Sequence, residues 1–144
     1  MNFQLFVEEV EITDRFAPFL LDQDEPYVLV DVGKVDQAWQ KGDQKHIAPG
    51  GEDEISGRYK RFGKFWDDGN TIIAPLINVR KNGTVEFNNG RHRFAYLRDQ
   101  GIKQIPVNMD AEDLKIAKKH GLVVKVLPKK KGIREFQGKA PGKS

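Results

Sequence analysis

Hydrophobic residues follow two periods along this chain, one typical of strands and one typical of helices. Runs rich in β-branched and aromatic residues predict strands at 3–12, 26–32 and 102–109. Two more strands are predicted within 74–90, joined by an Asn-Gly pair that strongly favours a hairpin turn. Apolar spacings of three and four residues predict helices at 34–42, 55–68, 91–100 and 111–120, and the composition of 43–54 predicts a loop. The chain therefore alternates strands with helices.

Two of these elements contain residues that oppose the predicted structure. The helix 55–68 has an apolar face, formed by Ile55, Tyr59, Phe62 and Trp66, but its two glycines lower helix propensity. In the strand 102–109, Pro106 cannot donate a ladder hydrogen bond. We therefore predict that Pro106 lies at the edge of the sheet or at the end of its strand.

The predicted helix 91–100 begins with cations. Arg91, His92 and Arg93 occupy its first turn, where free N–H groups and the helix dipole favour acids. The helix 111–120 shows the usual arrangement, with a capping Asp before it, acids at its start and bases at its end. The inverted helix start therefore predicts a site for an anion about the size of a phosphate group.

The residues before this helix favour the same interpretation. Asn88, Asn89 and Gly90 can turn the chain and expose backbone amides to a ligand. Neither GxxxxGK[ST] nor GxGxxG occurs, so a phosphate site here is neither a P-loop nor a Rossmann turn. The alternative is that these bases point into solvent or pair with acidic residues elsewhere.

Charge is distributed unevenly along the chain. Residues 1–55 hold four Lys or Arg against thirteen Asp or Glu, whereas residues 56–144 hold twenty against eight, in a chain of net charge +3. The basic half can present a surface to phosphate, or the two halves can pair with each other. From Lys129 onward the chain is basic and lacks periodicity. We therefore predict a domain at 1–128 and a flexible basic tail at 129–144.

The residue inventory excludes several classes of protein. The chain has no cysteine, which rules out disulfides, thiolate metal sites and cysteine nucleophiles. Its three histidines lack the spacing of metal ligands. No apolar run approaches the roughly 20 residues of a membrane-spanning helix, and the first residues carry acids where a secretory signal carries bases. We expect a cytoplasmic protein that does not contact a membrane.

The segment PLINVRKNGTVEFNNGRHRFAYLRDQGIKQIPV, residues 75–107, resembles the central unit of the ParB/sulfiredoxin superfamily. The shared features are a strand ending in IxV, a hairpin, a G-x-[RH]-R-x-x-A helix start and a closing G-x-x-x-[IV]-P-V. Residues 28–36 resemble the strand that opens the family fold. Within the superfamily, residues 55–63 and 89–101 are most similar to the IGGRYxRFG and NGRHRFAxLRDxG phrases of Osa-like plasmid fertility inhibition proteins, with Ser56 in place of a glycine.

This resemblance implies a single compact α/β (α+β) domain whose helix start binds nucleotide phosphates, with ATP or CTP and Mg²⁺ as cofactors. Carried over by position, the phosphate site consists of Asn89, Gly90, Arg91, His92 and Arg93. Sulfiredoxin has a catalytic cysteine where this chain has Arg91, so sulfinic acid reductase chemistry is excluded. ParB partition proteins continue with a DNA-reading helix-turn-helix and a dimerisation region, which do not fit after residue 107.

The Osa-like members imply ATP hydrolysis, DNA cleavage and blockade of conjugative DNA transfer in a bacterial or mobile-element context. The implied partners are a nucleotide, DNA and a component of a secretion or conjugation apparatus. Two functions remain open from the sequence. The first is a Mg²⁺-dependent phosphohydrolase, an ATPase or DNA nuclease, that acts in fertility inhibition. The second is a non-catalytic module that binds nucleic acid or blocks a partner.

Phosphoryl chemistry assigns roles to individual residues. It needs charge stabilisation, a positioned nucleophile and usually a carboxylate-bound Mg²⁺. We predict that His92 acts as hydrogen-bond donor or general acid/base and that Arg93 stabilises charge. Asp31, an acid within a strand pattern, is the predicted catalytic and metal-binding carboxylate, although pairing with an arginine is the commoner role. Arg58 and Arg61 either add to the anion site or form a solvated helix face.

Overall fold

The computed structural model describes residues 12–19, 25–51 and 56–128. The strands are β1 (Phe16–Ala17), β2 (Tyr27–Asp31), β3 (Ile72–Ile73), β4 (Leu76–Val79), β5 (Val85–Asn89), β6 (Gln104–Asn108) and β7 (Val123–Leu127). The helices are α1 (Val32–Gln40), α2 (Arg58–Asp67), α3 (Arg91–Asp99) and α4 (Ala111–Lys119), with a 3-10 turn at Pro49–Gly51. No helix in these ranges combines the length and the apolar composition that a membrane crossing requires.

Five strands form one mixed sheet in the order β5-β4-β6-β2-β7. β2 runs antiparallel to β6 and β7, whereas β4 pairs antiparallel with β5 and parallel with β6. β1 and β3 form a separate parallel pair. Helices α1 and α4 contact the sheet, and α3 packs against α1 and α2. The predicted α/β fold, a small mixed sheet with helices packed against it, is confirmed.

The position of Pro106 corrects one prediction. It lies in the middle of β6, which has a strand on each side, so the predicted edge or terminal position is wrong. The amide of Asn108 donates to Pro75 O over 2.9 Å on the β4 side, and strand alternation places the nitrogen of Pro106 on that side too. In the described ranges β4 and β6 pair at one position, where Leu76 lies opposite Asn108. Because this position is two residues beyond Pro106, the missing N–H of Pro106 interrupts no hydrogen bond between the two strands.

Predictions at the two ends of the chain have different outcomes. The strand β7 was missed, although LVVKVL at 122–127 carries a β-branched signal. Ile12 lies in a helical turn rather than in the predicted strand 3–12, and residues 3–11 of that strand lie outside the described ranges. The predicted basic tail 129–144 also lies outside them.

Trp39 of α1 joins the elements that carry the helix start of interest. Its buried ring lies edge-on to Phe87 of β5 and Phe94 of α3, with centroid distances of 4.8 and 5.9 Å. Its indole N–H donates to Gln44 Oε1 over 3.0 Å. The Gln44 side chain also accepts from Phe87 N and donates to Phe87 O, as a neighbouring strand would. The outer edge of β5 is therefore satisfied by a side-chain amide.

A charged network fixes the other end of α3. Arg98 donates through Nε and Nη2 to the two carboxylate oxygens of Asp99, and through Nη1 to Asp36 Oδ1 over 3.0 Å. Asp99 also accepts from Tyr59 Oη at 2.6 Å and from the amide of Gly50 at 2.8 Å. The network ties α3 to α1, to α2 and to the 3-10 turn. The predicted pairing between the acidic and basic halves of the chain occurs here, through Asp36 and Arg98.

Close packing of α2 on α3 explains a glycine that opposes helix propensity. A Cβ at Gly63 would lie 2.6 Å from the ring of Tyr96, so a larger residue would separate the two helices. The far end of α2 is held by Arg15, which donates to Trp66 O over 2.9 Å and stacks on the Trp66 ring at 3.8 Å. Helix α2 is therefore fixed along its length against α3 and the N-terminal segment.

The Asp99 network predicts a pH dependence of stability. Burial by itself would raise the pKa of Asp99, but hydrogen bonds from Arg98, Tyr59 and Gly50 outweigh it and hold that pKa below its usual value. The ionised carboxylate is favoured in the folded state, so its contribution is complete above the unfolded aspartate pKa of about 3.9. The contribution is lost as pH falls through the lower folded pKa. We expect Asp99→Asn to be less stable than wild type at pH 7, with a difference that shrinks towards pH 3.

Urea denaturation across this pH range measures the effect. The difference between the two proteins isolates Asp99, because the other acids titrate in both. Asp67→Asn, at an exposed position of α2, is the matched control and should show a small difference at every pH. An Asp99→Asn difference that is constant from pH 7 to pH 3 would contradict the proposed contribution of charge.

Candidate phosphate-binding cleft

A cleft of about 490 Å³ lies where α2, β3, the end of β5 and the start of α3 meet. Its basic lining residues are the arginines Arg58 of α2 and Arg91 and Arg93 of α3, together with His92 of α3. The remaining lining residues in the described ranges are apolar or neutral: Phe62, Phe65, Thr71, Ile72, Ile73, Phe87, Asn88, Asn89 and Gly90. None of the described lining residues is Asp or Glu. The cleft therefore combines a cationic part with an apolar part.

The turn into α3 depends on an irregularity and a glycine. The register between β4 and β5 shifts so that Asn88 is an extra residue in β5, a bulge of the kind often found beside functional sites. Gly90 then adopts φ 89° at the N-cap of α3. A Cβ there would lie 2.9 Å from Pro75 Cβ and 3.0 Å from Pro75 Cα. Only glycine fits this turn without strain, because both the backbone angle and the space exclude a side chain.

Two helix starts at the cleft share an unusual form. α2 begins after Gly57 at φ 81° and α3 after Gly90, and neither helix has an acid in its first turn. By contrast, α1 and α4 are each capped by an aspartate carboxylate. At α2 the amide of Arg58 donates to Ser56 Oγ over 3.2 Å. The first amides of a helix have no acceptor within the helix. Both of these helices place their first residue in the cleft lining, so an external anion can accept from the amides of their first turns, except that of Arg58, which is bound to Ser56 Oγ.

Arg93 is the most constrained cation of the cleft. It donates through Nη2 to Asn89 Oδ1 over 2.9 Å. Burial lowers the pKa of its guanidinium, and its buried Nε has no hydrogen-bond partner among the described residues. Arg58, Arg91 and Arg93 make no salt bridge with any residue of the described ranges. Their positive charge is therefore not neutralised by the described part of the chain.

The structure brings most of the predicted site residues together. Asn89, Gly90, Arg91, His92, Arg93 and Arg58 all line the cleft. Arg61, also predicted, is exposed on α2 and is absent from the described lining. The sequence could not separate Arg58 from Arg61, because both are polar positions on one amphipathic helix. The helix face that meets the cleft is decided by packing.

Asp31 has a structural role that its sequence context did not indicate. It lies at the junction of β2 and α1, where its Oδ1 accepts from Lys34 N over 2.9 Å as the N-cap of α1. It is not among the described lining residues. Within the described ranges, no group of three or more His, Asp or Glu side chains is arranged to hold a metal ion. A catalytic or metal-binding role for Asp31 stays a prediction.

Sequence reasoning missed the apolar part of the lining. Phe65 lies on α2 together with Phe62, and Ile72 and Ile73 form β3. The spacing of Arg58, Phe62 and Phe65 at positions i, i+4 and i+7 was an available signal, because it places all three on one face of a helix. The pairing of β3 with β1 depends on a contact between distant segments that no local pattern reveals.

Comparison with solved structures shows which known fold this chain resembles. The chain is similar to a crystal structure of the Oncogenic Suppression Activity protein, a plasmid fertility inhibition factor, solved as a gold(I) cyanide derivative. The superposition has a TM-score of 0.61 and covers 84% of this chain and 69% of that chain, at 18% sequence identity. This chain shares the Osa fold. No protein-family model and no curated protein sequence matches the chain. The likeness to Osa therefore concerns the fold alone.

The geometry at Gly90 predicts the effect of adding one methyl group. Gly90→Ala should lower the free energy of unfolding by roughly 1–2 kcal/mol, the cost of a left-handed non-glycine residue. The contact of the added methyl group with Pro75 should lower it further. Gly69→Ala is the matched control, because Gly69 has φ 84° and a Cβ added there would have no neighbour within 4 Å. We expect Gly69→Ala to lower the free energy of unfolding only by the cost of the left-handed backbone. Equal losses of free energy of unfolding for both variants would contradict the close approach at Gly90.

Proposed function

We propose that this protein binds the phosphate groups of a nucleotide or of DNA in the cleft, and that it hydrolyses a phosphoanhydride or phosphodiester bond there. The observation that carries the proposal is that two glycine-capped helix starts and three arginines meet at one cleft. These arginines make no salt bridge with another residue of the described ranges. Free amides and guanidinium groups are the donors that proteins use for phosphate. The absence of carboxylates from the described lining removes the repulsion that an anion would otherwise meet.

The proposed chemistry assigns complementary roles to the α3 residues. Arg93 is held by Asn89 and supplies a fixed positive charge, so it can stabilise charge that develops on a phosphoryl group. Arg91, one residue after Gly90, adds a second cation at the same helix start. His92 lies between them in the lining and can donate or accept a proton near neutral pH. These residues would bind and orient a phosphate and assist its displacement.

The described cleft is poorly suited to hold Mg²⁺ by itself. Protein sites for Mg²⁺ usually supply one or two carboxylates, with phosphates and water as further ligands. The side-chain oxygens of the described lining belong to Thr71, Asn88 and Asn89, and that of Asn89 accepts from Arg93. The predicted ligand Asp31 caps α1 instead. We therefore assign charge neutralisation in the proposed reaction to the arginines.

The proposed biological setting follows from the structural neighbour. That protein is described as a plasmid fertility inhibition factor, and the resemblance of residues 55–63 and 89–101 to Osa-like phrases supports the same setting here. We propose that this chain acts in plasmid transfer or in conflict between mobile elements. A component of a secretion or conjugation apparatus is the proposed protein partner.

A second candidate is a binder without catalysis. It is favoured by the lack of any carboxylate among the described lining residues, because hydrolysis commonly uses an acid to hold a metal or to activate water. In this alternative the same cations hold nucleic acid and block its transfer. The two candidates share the phosphate site and differ in whether turnover occurs.

The phosphate site predicts different effects for two arginines of α2. Arg58→Ala should weaken binding of ATP, CTP or DNA on the order of 10-fold, because one charge-assisted contact to phosphate is lost. Arg61→Ala removes the same group three residues away, outside the described lining, and should leave affinity nearly unchanged. Arg58→Ala should not reduce the melting temperature, since a cation is unfavourable at a helix start. Equal effects of the two variants on affinity would refute the assigned cleft.

Turnover separates the enzyme from the binder. We expect purified wild type to hydrolyse ATP or CTP, or to cleave DNA. Loss of this activity in EDTA would show that Mg²⁺ enters the site with the phosphates of the ligand, because the described lining has no carboxylate to hold it. His92→Ala should retain the fold but lose most of the activity. A binder would instead show no turnover by any variant, no metal requirement and an affinity that falls steeply with salt. If no nucleotide and no DNA binds, the phosphate site itself is wrong.

A further inference from the structure

The apolar part of the cleft indicates what accompanies the phosphate. We propose that this apolar part binds an unpaired nucleobase stacked on Phe65, so that the preferred ligand of the cleft is single-stranded nucleic acid. This inference rests on the proposed phosphate site and adds to it the class of ligand.

Phe65 has the properties of a stacking platform. Its side chain is 46% exposed, the largest exposure of any aromatic residue in the described ranges. Phe62 and Trp66 of the same helix each pair with other aromatic rings, whereas Phe65 makes no ring contact with any described residue. Both faces of a base are π surfaces that stack on such a ring whatever the base. The exposed part of the Phe65 ring is therefore available to contact a ligand, because it does not pack in the core.

The backbone that carries Phe65 is held in place. Asn70 donates through Nδ2 to Phe65 O over 3.0 Å, and Arg15 donates to the next carbonyl, Trp66 O, over 2.9 Å. The packing of Gly63 against Tyr96 fixes the preceding turn of α2 on α3. The backbone that carries the ring is therefore in place before a ligand arrives, which lowers the cost of ordering this segment on binding.

The position of Phe65 relative to the cations fits a nucleotide strand. Arg58 and Phe65 lie on the same face of α2, two turns and about 10 Å apart along the helix axis. A stacked strand advances about 3.4 Å per nucleotide, so this span corresponds to about three nucleotides. Arg91 and Arg93 line the same cleft from α3. A strand along α2 can therefore contact cations with its phosphates and Phe65 with a base.

Pairing of the bases would prevent this contact. In a duplex the faces of the bases are stacked on their neighbours and only their edges reach the grooves. Such a ligand offers the cleft its phosphates alone. Cations beside an exposed aromatic ring are instead the combination used by proteins that bind single strands. The charge and the apolar surface of the cleft both match one ligand class.

The test uses three DNA ligands of equal length: a single strand, the same strand with tetrahydrofuran units replacing its bases, and the duplex. Fluorescence anisotropy measures the affinity of wild type, Phe65→Ala and Phe65→Trp for each. We expect wild type to prefer the base-bearing single strand over both others. Phe65→Ala should weaken binding of that strand on the order of 10-fold and leave binding of the abasic strand unchanged. Phe65→Trp should retain the preference.

A matched control and a stability measurement complete the design. Val126→Ala changes an exposed apolar residue of β7, 48% exposed, that is not part of the described cleft lining, and should alter no affinity. Phe65→Ala should keep the wild-type melting temperature to within about 2 °C, because truncation of an exposed side chain costs little stability.

The outcomes separate this inference from the phosphate site. If wild type binds the base-bearing and abasic strands equally, or if Phe65→Ala weakens both to the same extent, the stacking inference is wrong and the phosphate site stands. Stronger binding of the duplex than of the single strand also overturns the inference. If none of the ligands binds, the proposed function fails and the inference fails with it.

Discussion

The packing of Trp39 is the interaction on which the candidate site depends. Its indole ring is buried among α1, β5 and α3, where the rings of Phe87 and Phe94 pack edge-on against it and contact each other with centroids 5.0 Å apart. Phe87 and Phe94 flank the turn that contains Gly90, so one side chain sets both the end of the strand and the start of the helix. Its N–H reaches Gln44, which in turn satisfies the backbone of Phe87. A shape-specific aromatic cluster and three hydrogen bonds therefore fix a segment that the sheet alone would leave at an edge.

The far end of α3 is fixed by charge in addition to the apolar packing of Leu97. Arg98 is shared between Asp36 and Asp99, and Asp99 is shared in turn with Tyr59 and Gly50. Since several hydrogen bonds converge on each carboxylate, the network offsets the cost of removing these charges from water. A helix held at both ends keeps its first turn in one orientation. That rigidity is what a phosphate site requires, because its donors must already be aligned when the ligand binds.

The basic half of the chain divides into two kinds of arginine. Arg98 is paired with acids of both halves of the chain, whereas the cleft arginines Arg58, Arg91 and Arg93 have no described salt bridge. The charge asymmetry of the chain suggested both internal pairing and an anion-binding surface. Arg98 provides the first, and the cleft arginines provide the second. The cleft brings together three arginines that the described part of the fold leaves uncompensated, and it places an exposed phenylalanine beside them.

Much of the local structure was predictable because its causes are local. The helical and strand periods, the hairpin at Asn82 and Gly83, the Asp110 cap and the cationic start of α3 all follow from residues within one or two turns of each other. Gly90 was recognisable as a turn for the same reason. The resemblance of residues 55–63 and 89–101 to Osa-like phrases anticipated the likeness to the Osa fold.

Only the tertiary structure decided which residues share the cleft. Arg58 and Arg61 have equivalent sequence contexts, yet packing places Arg58 among the described lining residues of the cleft and leaves Arg61 outside them. Asp31 follows a buried strand and resembles a catalytic acid, yet α1 begins one residue later and uses its carboxylate as a cap. Pro106 lies within the sheet because β4 diverges from β6, which depends on the register of distant strands. Local sequence sets what each segment can form, whereas contacts between distant segments determine which faces meet, and a binding site exists only where faces meet.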